Sequence, residues 1–193
     1  MQLQDFYELS ARYARGVAWF KPRDPSVSNE FLWNLFSGGA EDGPIEFRIM
    51  KAKNVFDVIP NSASVLIVSE RTKNLFAEAG FTGWRSFPVR LYDQKDQLLQ
   101  DAYSGIAVVG RAGRLDEEHS VAEWALGPDG RRAGILAMNG IHFDVAEWDG
   151  SDIFMLEDKG YILVTSRVIG ALREGGISGW KATPVLDYGR DED

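Results

Sequence analysis

The chain has 193 residues, no cysteine, a net charge of −8 and a sequence pI of about 4.9. The lack of cysteine excludes disulfides and thiolate metal sites, and an acidic chain should repel nucleic acid and anionic membranes. No apolar run approaches the length of a membrane span, and the first residues lack the order of a signal peptide. We therefore expect a cytoplasmic protein that binds neither nucleic acid nor membrane.

Residues 1–60 predict a strand-rich opening. Strand candidates are Phe6–Leu9, Gly16–Phe20 and Ile45–Ile49, the last because its apolar and charged residues alternate. The aromatic run Phe31–Phe36 predicts core packing, since large aromatic side chains dominate protein interiors.

One stretch of the sequence occurs twice, at about 65–92 and again at about 161–188. At a constant offset of 96 residues, eight of the 24 positions in 66–89 are identical. Unrelated segments of ordinary composition would share about one or two. The identical residues are Val68, Arg71, Glu78, Gly80, Gly83, Trp84, Pro88 and Val89.

Each copy predicts a strand, a helix and a second strand. A β-branched apolar run predicts a buried strand, a hydroxyl residue then caps the helix, and a glycine ends the helix in the left-handed conformation. An extended run follows, and its proline predicts an edge, a strand start or a bulge. These roles fall on Ser69, Gly80 and Trp84–Tyr92 in copy one and on Thr165, Gly176 and Trp180–Tyr188 in copy two.

The segment between the copies reads as β-rich. Glycine, proline and asparagine mark its turns, and the Asn-Gly pair is typical of a tight hairpin. The predictions are a strand at Ile106–Val109, a break at Gly110–Arg114, an exposed acidic loop at Asp116–His119, a turn between two strands at Gly127–Gly130, and a hairpin of Ile135–Met138 with Ile141–Val145 around Asn139-Gly140.

No linker-like composition separates the copies, so we expect one domain over 1–193 with an internal repeat. The predicted class is α+β, with mixed, mostly antiparallel sheets and a duplicated strand–helix–strand unit. The expected parts are 1–60 (strand-rich), 61–100 (repeat copy one), 101–155 (β-rich insert) and 156–193 (repeat copy two).

Catalytic and metal-binding signatures are mostly absent from the sequence. Asp149–Asp152 with Glu157 and Asp158 is acidic enough to suggest calcium, but lacks the alternating ligands of an EF-hand loop. His119 and His142 are the only histidines, too few for a zinc site in a chain without cysteine, and no nucleophile elbow or phosphate loop occurs. We therefore predict no catalytic residue, no metal and no cofactor. Arg71 and Arg167, at matching helix starts, could bind a ligand anion, but local pairing with a carboxylate is favoured.

Three groups of segments stand out in chain order: Leu66–Arg71, Thr82–Trp84 and Phe87–Val89; Tyr103–Gly110 with Leu115-Asp116; and Ser151–Phe154 with Ile162–Arg167. In this order they resemble the myxobacterial double-CXXCG motif immunity proteins (the SitI type), and still more the wider cysteine-free immunity family related to them. The chain lacks both CXXCG pairs, so no metal bound by them carries over.

The resemblance implies an immunity protein, an antitoxin that binds one cognate bacterial toxin and blocks it without catalysis. An acidic inhibitor suits a basic toxin such as a nuclease, but toxins of other classes stay open, and an acidic balance also serves simply to keep a cytosolic protein soluble. Acidic or aromatic residues outside the repeat are the contact candidates: Asp116, Glu117, Glu118, Trp124, Asp149 and Asp152.

Two alternatives belong to other classes. A small-molecule-binding or enzymatic protein would use a cleft between the repeat units, with convergent polar groups such as Arg71 and Arg167. A scaffold would show a large self-complementary interface. The sequence does not predict the oligomeric state.

Overall fold

The computed structural model describes residues 1–13, 15–24, 43–51, 54–61, 65–99 and 102–189. Their strands form a six-stranded sheet, a five-stranded sheet and a separate two-stranded hairpin, mostly antiparallel. The predicted α+β class is therefore confirmed. The aromatic run Phe31–Phe36 lies outside the described residues. Within the described ranges, no helix is long and apolar enough to cross a membrane.

Most elements along the chain are strands, with a few short helices between them. The strands are β1 Phe6–Ala11, β2 Trp19–Pro22, β3 Ile45–Lys51, β4 Val58–Ile59, β5 Leu66–Ser69, β6 Trp84–Tyr92, β7 Tyr103–Val108, β8 Gly110–Ala112, β9 Val121–Leu126, β10 Arg132–Met138, β11 Ile153–Leu156, β12 Ile162–Thr165 and β13 Trp180–Pro184. The α-helices are α1 Glu70–Glu78, α2 Glu117–Ser120 and α3 Ser166–Glu174, and 3-10 turns cover Leu3–Asp5, Val145–Glu147 and Val185–Asp187.

The two copies of the repeat build the same unit in the two large sheets. The six-stranded sheet has the order β2-β3-β6-β7-β5-β4, and the five-stranded sheet has the order β13-β1-β12-β11-β8. The units β5-α1-β6 and β12-α3-β13 follow the predicted strand–helix–strand pattern. The strands that follow β5 and β12 in these orders, β4 and β11, also correspond. Val58 of β4 pairs with Val68, and Ile153 of β11 pairs with Val164, the residue equivalent to Val68.

The central strand of each unit comes from a different part of the chain. In copy one, β7 lies between β5 and β6, with Tyr103 opposite Ser69. In copy two, β1 lies between β12 and β13, with Phe6 opposite Thr165. Since Ser69 and Thr165 are equivalent, the N-terminal strand holds in copy two the place and register that β7 holds in copy one.

The helix ends follow the predicted chemistry in most respects. The Ser69 hydroxyl accepts a hydrogen bond from the backbone N–H of Thr72 at 3.3 Å, as a helix cap should. Gly80 and Gly176 end the helices with φ of +65° and +58°. Thr165 occupies the cap position but accepts no such bond, and its hydroxyl donates to Asp152 at 3.3 Å.

Two apolar clusters hold the fold together. The larger one receives buried side chains from both large sheets and from both repeat helices, including Ile67, Phe76, Val164 and Leu172. The smaller one collects buried residues against the five-stranded sheet, among them Phe6, Ile141, Phe143, Phe154 and Leu163. β1 contributes Phe6 to the smaller cluster and Leu9 to the larger, so this strand separates the two cores.

The hairpin predicted around Asn139-Gly140 is wrong. β10 pairs with β9, and residues 141–144 form no strand. Ile141 and Phe143 are instead buried in the smaller cluster, and the Ile141 N–H donates to Val185 O at 2.7 Å. Burying each such side chain contributes about 1.5–3 kcal/mol, which exceeds the preference of one turn dipeptide.

Three further segments differ from the predicted local structure. The predicted break at Gly110–Arg114 does follow the end of β7 at Val108, but Gly110–Ala112 forms a new strand that pairs in parallel with β11 of the five-stranded sheet. The expected acidic loop is the short helix α2. The extended run predicted through Tyr188 ends at Pro184, because buried Val185 turns into the smaller cluster.

Candidate partner-binding surface

Four of the six predicted contact residues lie together. Asp116 caps α2, Glu117 and Glu118 are its exposed first residues, and Trp124 lies on β9, which follows α2 directly. Arg132 links two of these residues, since its guanidinium lies 4.0 Å from the Glu117 carboxylate and 4.4 Å from the Trp124 ring centroid.

α2 is tied firmly to the body of the protein. The Asp116 carboxylate accepts hydrogen bonds from the His119 backbone at 3.2 Å and from His119 Nδ1 at 2.7 Å. The hydrogen bond from the His119 side chain lowers the pKa of Asp116. At the other end of α2, the buried Ser120 hydroxyl accepts from the His142 N–H at 2.9 Å, and Ser120 O accepts from the Asn139 N–H at 2.8 Å. These bonds fix both ends of the β9–β10 hairpin.

The β9–β10 hairpin presents apolar side chains that the sequence analysis did not single out. Trp124 pairs with Ile135 across the two strands, and the Arg132 guanidinium lies 4.4 Å from the Trp124 ring centroid. Leu126 and Leu136 are 66% and 62% exposed. Two apolar strands separated by Gly127–Gly130 must expose one of their faces when no sheet covers them, so this exposure follows from the topology.

The other two predicted residues serve local structure elsewhere. The Asp149 carboxylate is exposed and accepts hydrogen bonds from the backbone N–H groups of Arg111 and Ser151, at 2.7 and 2.9 Å. Asp152 is only 9% exposed. Its carboxylate accepts bonds from Thr82 N at 3.1 Å and from Arg167 Nη1 at 3.2 Å, so its oxygens already have partners within the chain.

Arg167 pairs locally, as predicted. Besides its ion pair with Asp152 at 3.2 Å, its guanidinium donates to Ala79 O at the C-terminal end of α1, the helix of the other copy. It also lies 4.9 Å from the Phe81 ring centroid. A cation is favourable at this end of a helix because the last carbonyls are unpaired and carry partial negative charge.

Copy one makes the equivalent contacts with the helix end of copy two. Arg71 donates to Gly175 O at the end of α3 and lies 3.9 Å from Asp57. The Asp57 carboxylate accepts from Ser178 N at 2.9 Å and from the Ser178 hydroxyl at 2.7 Å. Burial alone would raise the pKa of Asp57, but the bonds from Ser178 and Ser69 and the charge of Arg71 outweigh it and lower the pKa.

The contacts between the copies are thus reciprocal, as in an isologous dimer interface. An arginine of each copy donates to the C-terminal end of the other copy's helix. A hydroxyl residue in the loop after each helix donates to a buried or half-buried aspartate that precedes the first strand of the other copy. We call this set the reciprocal clasp: Asp57, Arg71, Thr82, Asp152, Arg167 and Ser178. Its side chains explain why the arginine recurs in both copies.

A cleft of about 530 Å³ also lies between the two halves of the chain. Its lining comes from β1 and the segment before β12 on one side and from residues near the start of β5 on the other. Arg71 and Arg167 do not line it. The polar side chains in its wall include Glu8, Ser10, Asn61, Lys159 and Tyr161.

Glu8 is a half-buried acidic residue in the wall of this cleft. Burial raises the pKa of the Glu8 carboxyl, although Ser10 donates a hydrogen bond to it at 3.2 Å and Lys181 attracts its charge. Burial also raises the pKa of Tyr161, and it raises the pKa of Tyr188 to about 12. The two tyrosine rings pack edge to face, with centroids 5.2 Å apart.

We expect Glu8→Gln to stabilise the protein at pH 7. Because the folded-state pKa of Glu8 is raised, the folded protein loses stability as the pH rises from the ordinary glutamate pKa through that raised value. Glutamine carries no charge at any pH. The gain in free energy of unfolding over wild type should therefore shrink as the pH falls to about 4. Urea unfolding at pH 4 and pH 7 measures both. Exposed Glu157→Gln is the matched control, and an equal gain at both pH values would contradict the expected burial effect.

Comparisons with known proteins complete the description of the site. Within the described residues, no group of three histidine, aspartate or glutamate side chains could hold a metal ion. No model of a known protein family matches the sequence, and no curated protein does. The resemblance to immunity proteins therefore stays a prediction from the motifs and their order.

Proposed function

We propose that this chain is an immunity protein that neutralises a cognate bacterial toxin by stoichiometric binding. The order of the resembling segments supports the role. The described residues that form α2 and the β9–β10 hairpin supply a surface on which a partner protein could be held. Neither feature requires a catalytic group.

The observation that carries the proposal is that α2 and the β9–β10 hairpin, which follow each other directly along the chain, expose carboxylates and large apolar side chains. Glu117 and Glu118 lie directly before the hairpin that exposes Leu126 and Leu136. Apolar and aromatic anchors supply most of the binding energy in protein interfaces, whereas surrounding charges mainly set encounter rate and partner choice. This surface combines the two kinds of group.

Co-expression with the toxin encoded by the neighbouring gene tests the function. Cells that make the toxin alone should stop growing, and cells that also make this chain should grow. Arrested growth in the presence of the soluble, folded chain would sink the proposal. An inactive toxin variant, expressed at the same level, controls for the burden of producing both proteins.

Charge should speed the encounter if the toxin is basic. The net charge of −8 would attract such a partner over a Debye length, which shrinks from about 10 Å at 0.1 M salt to about 3 Å at 1 M. We expect the association rate to fall steeply between these salt concentrations, while the dissociation rate changes less. Stopped-flow mixing measures both rates, and a salt-independent association rate would remove electrostatic steering.

The cleft between the halves supports a second candidate, the binding of a small molecule. The observation in its favour is the raised pKa of the Glu8 carboxyl in a concave site with two tyrosines nearby. Glu8→Gln separates the two candidates, because it leaves α2 and the hairpin unchanged. Full protection by this variant favours toxin binding at the surface, and lost protection by a folded variant favours the cleft.

A further inference from the structure

The β9–β10 hairpin stands apart from both large sheets. Its strands pair with each other and with no other strand of the described chain. An isolated two-stranded hairpin is marginally stable at best, so the chain must hold it at its base. The Asn139 N–H donates to Ser120 O and closes that base, the adjoining Gly140 N–H donates to Tyr188 O, and Ile135 and Met138 pack against the smaller apolar cluster.

The hairpin exposes large apolar side chains instead of burying them. Leu126 and Leu136 are among the most exposed large hydrophobic residues in the described chain, at 66% and 62%. Trp124 is half-buried and lies beneath the Arg132 guanidinium. Tryptophan and arginine are the residues most enriched in the energetic centres of protein interfaces. A surface of this composition on a firmly anchored projection is suited to insertion into a partner.

The charges around the hairpin indicate which partner it fits. Between residues 116 and 138 the chain carries five carboxylates and two arginines. Glu118 and Glu123 are exposed and form no ion pair within the described residues. A second copy of this chain would bring like charges together, since each carries a net charge of −8. A basic protein with an apolar recess complements both the leucines and the carboxylates.

We infer that the β9–β10 hairpin is the toxin-docking element, with Leu126 and Leu136 inserted into an apolar recess of a basic toxin and Glu118 and Glu123 facing its basic rim. The inference rests on the proposed function. It adds the apolar anchors, the strands that carry them and the chemistry of the partner surface.

The double variant Leu126→Thr/Leu136→Thr tests the inference. Threonine keeps the preference for a strand and removes the apolar surface, so the fold should remain intact by circular dichroism and thermal unfolding. With the purified toxin that wild type protects against, we expect Kd to rise by about tenfold or more, mainly through faster dissociation. The matched control is Leu98→Thr/Val109→Thr, which changes side chains 55% and 40% exposed elsewhere. It should bind like wild type.

The outcomes separate the two proposals. If wild type fails to protect cells, the proposed function fails and the docking inference fails with it. If wild type protects and the hairpin variant binds the toxin with unchanged Kd, only the docking inference is overturned. A wild-type dimer that the hairpin variant converts to a monomer, measured by light scattering, would also overturn it. Should the threonine variant unfold, Glu118→Gln/Glu123→Gln replaces it, and its association rate must fall for the inference to stand.

Discussion

Replacing Gly83 by alanine should destabilise the protein by about 3 kcal/mol or more, since positive φ costs about 1–2 kcal/mol and overpacking about 1–3. Gly83 has φ of +84°, and an added Cβ would lie 2.0 Å from the backbone oxygen of Ile153. The equivalent Gly179 has φ of +83°, and its Cβ would lie 2.4 Å from Val58 O. Alanine at either position must therefore separate the two copies of the repeat. Urea unfolding of each variant measures the loss.

A third glycine provides the matched control. Gly170 lies inside α3, and an added Cβ would meet nothing within 4 Å. Gly170→Ala should therefore stabilise the protein, by about 0.5–1 kcal/mol, because alanine loses less backbone entropy in a helix. Equal stability of Gly83→Ala, Gly179→Ala and wild type would show that the two copies do not approach as closely as the contacts at these glycines require.

Removing the charge of Asp152 should be the most damaging change within the reciprocal clasp. Its carboxylate accepts bonds from Thr82, Thr165 and Arg167, and the residue is 9% exposed. Asparagine keeps the shape but turns two donor hydrogens toward groups that also donate. We expect Asp152→Asn to lower the free energy of unfolding by about 2–4 kcal/mol, measured by urea unfolding at pH 7.

Asp57→Asn and Glu157→Gln calibrate this result. Asp57→Asn should also destabilise the protein at pH 7, and its deficit should disappear in acid. The sign follows from the lowered pKa of Asp57, whose contribution is present at neutral pH and lost as the pH falls through that pKa. Glu157 is exposed, so Glu157→Gln should change little. If Asp152→Asn unfolds like Glu157→Gln, the clasp does not stabilise the fold.

Much of the fold could be predicted because it depends on local sequence patterns. The β-branched runs and the helix-ending glycines recur in both copies, and the Ser69 hydroxyl caps α1 as its residue type predicts; each acts through its own few neighbours. The internal pairing of Arg167 was also within reach, since a surface arginine at a helix start usually has a carboxylate nearby.

The remaining features depend on contacts between distant parts of the chain. Nothing in the sequence of β1 shows that it completes copy two, because its partners lie more than 150 residues away. The strand predicted at Ile141–Val145 failed for the same reason, as burial of Ile141 and Phe143 overrides the local turn signal. The role of Asp152 likewise required Thr82 and Arg167 to meet it.

The proposed binding surface could be predicted in part. The carboxylates of α2 and Trp124 stand out by residue type, and Arg132 lies between Glu117 and Trp124. Leu126 and Leu136 do not stand out, because an apolar strand residue is ordinarily buried. Their exposure follows from β9 and β10 pairing only with each other among the described strands, which is a property of the whole topology.

We propose that the chain blocks its toxin by binding it in a one-to-one complex. The direct measurement is the residual activity of a fixed amount of purified toxin as the chain is added, at concentrations far above Kd. Stoichiometric binding predicts a straight fall in activity that ends at one equivalent of chain. Complete loss of activity at a small fraction of an equivalent would indicate catalytic inactivation, and full activity at several equivalents would indicate no inhibition; either result would contradict the claim.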